Sequence, residues 1–162
     1  MISQHAQAAE TDARGDVTPP FDSIESRFGV VHYEPDRIIN LPKGLLGFVD
    51  YRAFVLTELP DREPSRFKLL QCVNDASLSL IVMPLLAGDD VIDVADREEA
   101  CDILGVPQGD AAFLLIVTVR HTAELVQFSV NARAPLVIDT RRLTGYQHVL
   151  SNNKYDIRHP LN

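Results

Sequence analysis

From residue 28 to residue 150 the chain is a succession of short apolar stretches cut by turn residues, and only one segment breaks that rhythm. Residues 125–131 alternate strictly, with Val126, Phe128 and Val130 against Gln127, Ser129 and Asn131, the period of a strand with one wet face. Residues 112–120 are apolar almost throughout, so a strand there must be covered on both sides. These two are expected to pair across His121-Thr-Ala-Glu124. Further hairpins are expected where residues 28–33 and 37–41 flank Glu34-Pro-Asp36, and where residues 54–59 and 67–73 flank the polar run 60–66. Residues 77–83 follow the Asn74-Asp75 turn and end at Pro84, and residues 136–140 and 146–150 read as further strands.

The exception lies at residues 96–105, which read as one short helix. Asp96 is placed to accept the free N–H groups of the first turn, with Glu99 three residues on. Gly105 supplies the left-handed exit and Pro107 forbids continuation. Ala100, Ile103 and Leu104 form the expected packing stripe, leaving Arg97, Glu98 and Asp102 largely to water. Many short strands and one helix predict a mainly β fold, a small antiparallel β-barrel-like domain. With 162 residues and 46% hydrophobic content, one such domain can bury a real core.

Residues 1–23 are rich in Ala, Gln, Asp, Thr and Pro and carry no period that could bury a face, so a disordered extension is expected before a domain spanning 24–162. The first residues lack the charged and apolar regions of a secretion signal, and no apolar run approaches the roughly 20 residues of a membrane-spanning helix. A cytoplasmic protein is expected. In that compartment Cys72 and Cys101, which make no metal spacing, read as small core residues.

The formal charge of −8 is uneven. Between residues 85 and 110 eight acids face Arg97 alone, a local −7, whereas residues 133–162 carry five basic and two acidic side chains, a local +3. The overall sign disfavours direct nucleic-acid binding. No phosphate loop, dinucleotide fingerprint, zinc-protease or nucleophile-elbow spacing occurs, and the five histidines are scattered singly. Catalysis is not expected, nor is a metal or cofactor; Asp89, Asp90 and Asp93 lack the central glycine and closing glutamate of a calcium loop.

Two segments admit two readings each. Leu45-Leu-Gly-Phe48 either closes one end of the barrel with Phe48 plugging the core, or forms a partner-contact loop. In both cases Gly44 and Gly47 allow backbone angles other residues resist. Asn131-Ala-Arg-Ala-Pro135 is either a strand interrupted at a proline that cannot donate, or an exposed edge open to strand addition.

The segment 41–51, Leu-Pro-Lys-Gly-Leu-Leu-Gly-Phe-Val-Asp-Tyr, resembles the FliW family of flagellar assembly factors. The resemblance resumes in Phe113-Leu-Leu-Ile-Val-Thr-Val119, in Asn131 to Asp139 and in Tyr155-Asp-Ile-Arg-His-Pro-Leu161, and covers nearly everything after Ile24. Two departures stand out: Asn74-Asp75-Ala76 where the family favours an Asp-Asp-Pro or Asp-Asn-Pro run, and Asp139 where Asn is common. The resemblance implies a barrel-like fold and a protein that binds two partners in turn, the translational repressor CsrA and newly made flagellin. Bound to this protein, CsrA leaves flagellin mRNA free; unsecreted flagellin reverses that by capturing the protein. The matched positions expected to be exposed for binding are Phe48, Asp50, Tyr51, Asn131, Pro135, Tyr155, Arg158 and His159. To them we add Asp93, Glu98, Glu99 and Asp102, whose charge would repel RNA from a CsrA held nearby. The alternatives are a flagellin chaperone without CsrA regulation and a small-ligand-binding barrel.

Overall fold

A computed structural model describes residues 22–161. Eleven strands and one α-helix lie among them: β1 (Asp22–Ser26), β2 (Gly29–Tyr33), β3 (Ile39–Asn40), β4 (Ala53–Glu58), β5 (Lys68–Cys72), β6 (Ser79–Pro84), α1 (Val94–Leu104), β7 (Ala111–His121), β8 (Val126–Val130), β9 (Leu136–Asp139), β10 (Thr144–Gln147) and β11 (His159–Leu161). The mainly β architecture with one helix is as the strand rhythm predicts.

The sheet closes on itself. Neighbours run β3–β4–β5–β6–β7, and β7 then pairs with β9, β9 with β10, and β10 with β3, a barrel-like ring. Length makes β7 the organising strand. Its first half, Ala111 to Leu114, pairs with β9 and completes the ring, whereas its second half, Val117 to His121, pairs with β8 along the same edge. The last strand, β11, adds to β8, so β7, β8 and β11 form an arm projecting from the ring.

Alternation assigns the core. Phe54, Leu70, Val82, Leu114 and Leu136 fill the interior of the ring, together with Leu41 and Cys72. On the opposite side of the same strands, Phe113, Leu115 and Val117 of β7 pack with Met83, Val137 and the α1 residues Ala100 and Cys101. That double cover explains why β7 is apolar from Ala111 to Val117; each such large side chain taken from water contributes about 1.5–3 kcal/mol. A third cluster joins Ile24, Val31 and Tyr33 of the β1–β2 hairpin to Val55 and Leu69 on the outside of β4 and β5. Both cysteines are free and buried, and burial pushes their thiols up, away from the reactive thiolate.

Several expectations are corrected. β2 pairs with β1, not with residues 37–41, because Ser26 and Gly29 form the turn and Ile24 supplies an apolar partner to Val31. β1 therefore begins at Asp22, two residues inside the segment read as an extension; residues 1–21 lie outside the described residues. Residues 35–37 form a 3-10 turn between sheets instead of a hairpin loop. The N-cap of α1 is Asp93, without a side-chain cap bond, and Asp96 serves another purpose described below. Gly105 does exit in the left-handed region, at φ 71°. The packing stripe is Ala100, Cys101 and the half-buried Leu104, while Ile103 is exposed. Arg97 folds back, donating to the carbonyls of Asp89 at 2.9 Å and Ile92 at 3.1 Å. In β8 only Val130 is buried; Val126 is exposed, and Phe128 stacks on Phe67 with ring centroids 5.6 Å apart.

Candidate partner-binding surfaces

The segment 41–51 folds as a tight loop at one end of the ring. Leu45 and Phe48 exchange backbone hydrogen bonds of 3.2 and 2.8 Å, placing Leu46 and Gly47 at the tip. Gly44 sits at φ 63°, and a Cβ there would lie 2.5 Å from the Phe48 carbonyl oxygen, so only glycine fits. Leu45 is the residue that plugs the core, at 1% exposure. Its neighbours turn outward: Leu46 is 58%, Phe48 40% and Val49 59% exposed. Of the two readings of this loop, Phe48 as a core plug is therefore overturned.

The exposed patch has a rigid base. The side-chain oxygen of Gln147 accepts from the Leu46 N–H at 2.8 Å while its amide donates to the Ala134 carbonyl at 3.1 Å, tying the loop to the 131–135 segment. Tyr51 packs edge-on against Phe48, ring centroids 6.2 Å apart, and is half-buried; Asp50 is exposed. Tyr51 also reaches the Asp75 carboxyl, which is held below the usual carboxylate range chiefly by the Ser77 hydroxyl and N–H. Asp75 thus stabilises its own turn and braces the loop beside it.

The 131–135 segment is not an open edge. The Asn131 side chain accepts the N–H groups of Arg133 and Ala134 at 3.1 and 3.0 Å, forming an Asx turn. Pro135 is buried, contrary to expectation, and β9 beyond it is paired on both sides. Strand addition has no place there. Asp139 closes β9 by accepting the N–H groups of Arg142 and Arg141 at 2.9 and 3.0 Å and the Arg142 guanidinium at 3.0 Å. The Arg142 backbone bond leads in holding its carboxyl below the usual range.

Around the start of α1 the tail and the acidic segment meet. The hydroxyl of Tyr155, a buried residue and not an exposed one as expected, donates to Asp96 Oδ2 at 2.5 Å and accepts the Asp93 N–H at 2.9 Å. Asn152 adds a 3.3 Å bond to the same Asp96 oxygen, and Lys154 pairs with the Asp93 carboxylate. Burial, then the bond to Asp96, raises the Tyr155 hydroxyl above its ordinary pKa. Two candidates named from sequence, Asp93 and Tyr155, are therefore parts of one latch. Glu98, Glu99 and Asp102 stay exposed on the outer side of α1, free of any ion pair among the described residues. Farther along the tail, Arg158 is exposed and His159 is half-buried at the start of β11.

Sequence reading missed Gln147, Asn152, Lys154 and the β11–β8 pairing. Among the described residues no group of three His, Cys, Asp or Glu side chains gathers as metal ligands, and no helix is long and apolar enough to cross a membrane.

The fold and its surfaces define a ring-closed β domain with a braced apolar loop at one end and an acidic helix latched by its own C-terminal segment. The family model described as "FliW protein" matches residues 23–161. The flagellar assembly factor FliW of Desulfitobacterium hafniense strain Y51 is 35% identical over 140 residues, covering 85% of this chain and 90% of that one. The factor of the same name from Geotalea uraniireducens is 33% identical over 136 residues, 83% of this chain and 80% of its own. Among solved structures, the crystal structure of the flagellar assembly factor FliW superposes with a TM-score of 0.67 at 26% identity, over 87% of this chain and 97% of that one. The chain belongs to the FliW family.

Proposed function

We infer that this protein binds CsrA and flagellin in turn, so that flagellin waiting for export releases CsrA to silence flagellin translation. What supports the reading is membership of a family of flagellar assembly factors, joined to an apolar patch of Leu46, Phe48 and Val49 that nothing in the described chain covers. Exposed aromatic and aliphatic side chains on a rigid base are the usual anchors of protein interfaces. In this reading no reaction is catalysed, and the protein acts in the cytoplasm. The ring interior is filled by side chains, and Asp75 and Asp139, whose carboxyls are held below the usual range, anchor turns; neither feature suits a small-ligand barrel.

CsrA antagonism would draw on the acidic outer side of α1. Because Asp93 is neutralised by Lys154, the repelling charge resides in Glu98, Glu99 and Asp102. Repulsion acts over about 8 Å at physiological salt, so α1 would have to sit beside the RNA path. Displacement of an RNA oligomer from CsrA tests this: E98Q/E99Q/D102N should displace less RNA at low salt, and equal displacement would rule the electrostatic mechanism out. Co-elution of the protein with purified CsrA, repeated in the presence of flagellin, tests the reading as a whole.

A further inference from the structure

The arm formed by β7, β8 and β11 carries a groove of about 560 Å³. Thr118 and Arg120 share the side of β7 that, lower down, presents Leu114 and Ile116 to the ring interior. Beyond the rim that side meets solvent. Across the register Arg120 faces Gln127 and Thr118 faces Ser129, and the tail closes the far wall with Arg158 and Pro160. The lining holds two guanidinium groups and no acid. Neither the Arg120 nor the Arg158 guanidinium has a hydrogen bond or ion pair among the described residues.

In a chain of net charge −8 an acid-free groove with two unpaired arginines runs against composition. The acidic helix does not cancel it. α1 packs on the side of β7 that carries Phe113, Leu115 and Val117, whereas Thr118 and Arg120 lie on the opposite side of that strand. We propose that this groove binds an extended, acidic segment of a partner polypeptide, its carboxylates engaging Arg120 and Arg158. Guanidinium forks pair with carboxylates through two parallel bonds, and Gln127, Ser129 and Thr118 supply further polar partners for an extended backbone. The arm's outer edge is poorly suited to strand addition, because Pro160 of the edge strand β11 has no N–H to give. A polynucleotide, with a charge at every residue, would meet the repulsion of the whole acidic chain. The proposal stands independently of the partners named above.

The test uses a fluorescein-labelled eight-residue peptide of alternating glutamate and threonine, titrated with the full chain at low salt and read by anisotropy. Saturable binding is expected, weakening with added salt and at least tenfold weaker for R120E/R158E. R120Q/R158Q should weaken it in the same direction, which covers the case in which charge reversal impairs folding. E98Q/E99Q/D102N, on the helix that covers the opposite side of β7, should leave it undiminished. Absence of saturation, equal binding of the peptide with lysine in place of glutamate, unchanged binding by both arginine variants, or tighter binding of an eight-nucleotide RNA would each overturn the proposal.

Discussion

The Tyr155 hydroxyl donates to Asp96 Oδ2 at 2.5 Å while accepting the Asp93 N–H at 2.9 Å, joining residues 59 and 62 positions apart. One phenol therefore satisfies a backbone donor at the start of α1 and ties the C-terminal segment to it. The acidic helix and the basic tail, separate in sequence, form one structural unit.

Tyr155→Phe should show the worth of that link. It keeps the ring packing and removes both hydrogen bonds, so urea unfolding should report a loss of about 1–3 kcal/mol with an unchanged denaturant slope. Amide exchange should quicken at Asp93 and in residues 150–156 before it does so in the ring. A stability equal to wild type would mean that the tail is held by packing alone.

Gly44→Ala should strain the apolar loop, since φ is 63° and the new Cβ would meet the Phe48 carbonyl oxygen at 2.5 Å. A cost of about 1–3 kcal/mol is expected, together with shifted amide resonances at Leu46, Phe48 and Gln147. Gly47→Ala, whose Cβ meets nothing within 4 Å, should perturb the neighbours less, although its φ of 87° still disfavours a side chain.

Acid sensitivity follows from three groups. The folded-state pKa values of Asp139 and Asp75 are lowered, so at falling pH the unfolded chain takes up protons first; their contribution is complete above about pH 4 and is lost as pH drops through the folded values. His148 is also lowered, by burial working against Glu99, so it adds a loss that starts near pH 6.5, approximately the unperturbed value. Unfolding free energy should therefore fall in two stages on acidification. Asp139→Asn should flatten part of the lower stage and leave the upper one intact; an unaltered acid limb would refute the role given to Asp139.

How much of this was legible beforehand depended on range. β4 with β5, and β7 with β8, were readable because each pair is local and its strands carry apolar runs between turn residues. β1 was not, because Asp-Ser-Ile-Glu-Ser offers one apolar residue and borrows its cover from Val55 and Leu69. Phe48, Asp50, Arg158, Glu98, Glu99 and Asp102 were rightly expected at the surface, whereas Pro135 and Tyr155 are buried. Proline marks a break in pairing without saying which way the chain turns, and a tyrosine whose acceptor lies 59 residues away leaves no local signal. Gln147 escaped notice for the same reason, since its two partners come from distant loops.

Exposed anchors can be altered without loss of fold. Leu46→Asp and Phe48→Ala should each shift the melting temperature little, because neither side chain is buried, while Leu45→Ala should cost about 2–5 kcal/mol through the cavity it leaves.

The central claim is that this protein works by occupying the surfaces of two other proteins in alternation, with the loop of Leu46, Phe48 and Val49 as an anchor. Calorimetric titration of the full chain with purified CsrA and with flagellin, each alone and then in competition, tests it most directly. The expected result is saturable binding of both, displacement of one by the other, and at least a tenfold loss for L46D/F48A against one of them with the fold retained. Heat changes no larger than dilution for both partners would contradict the account.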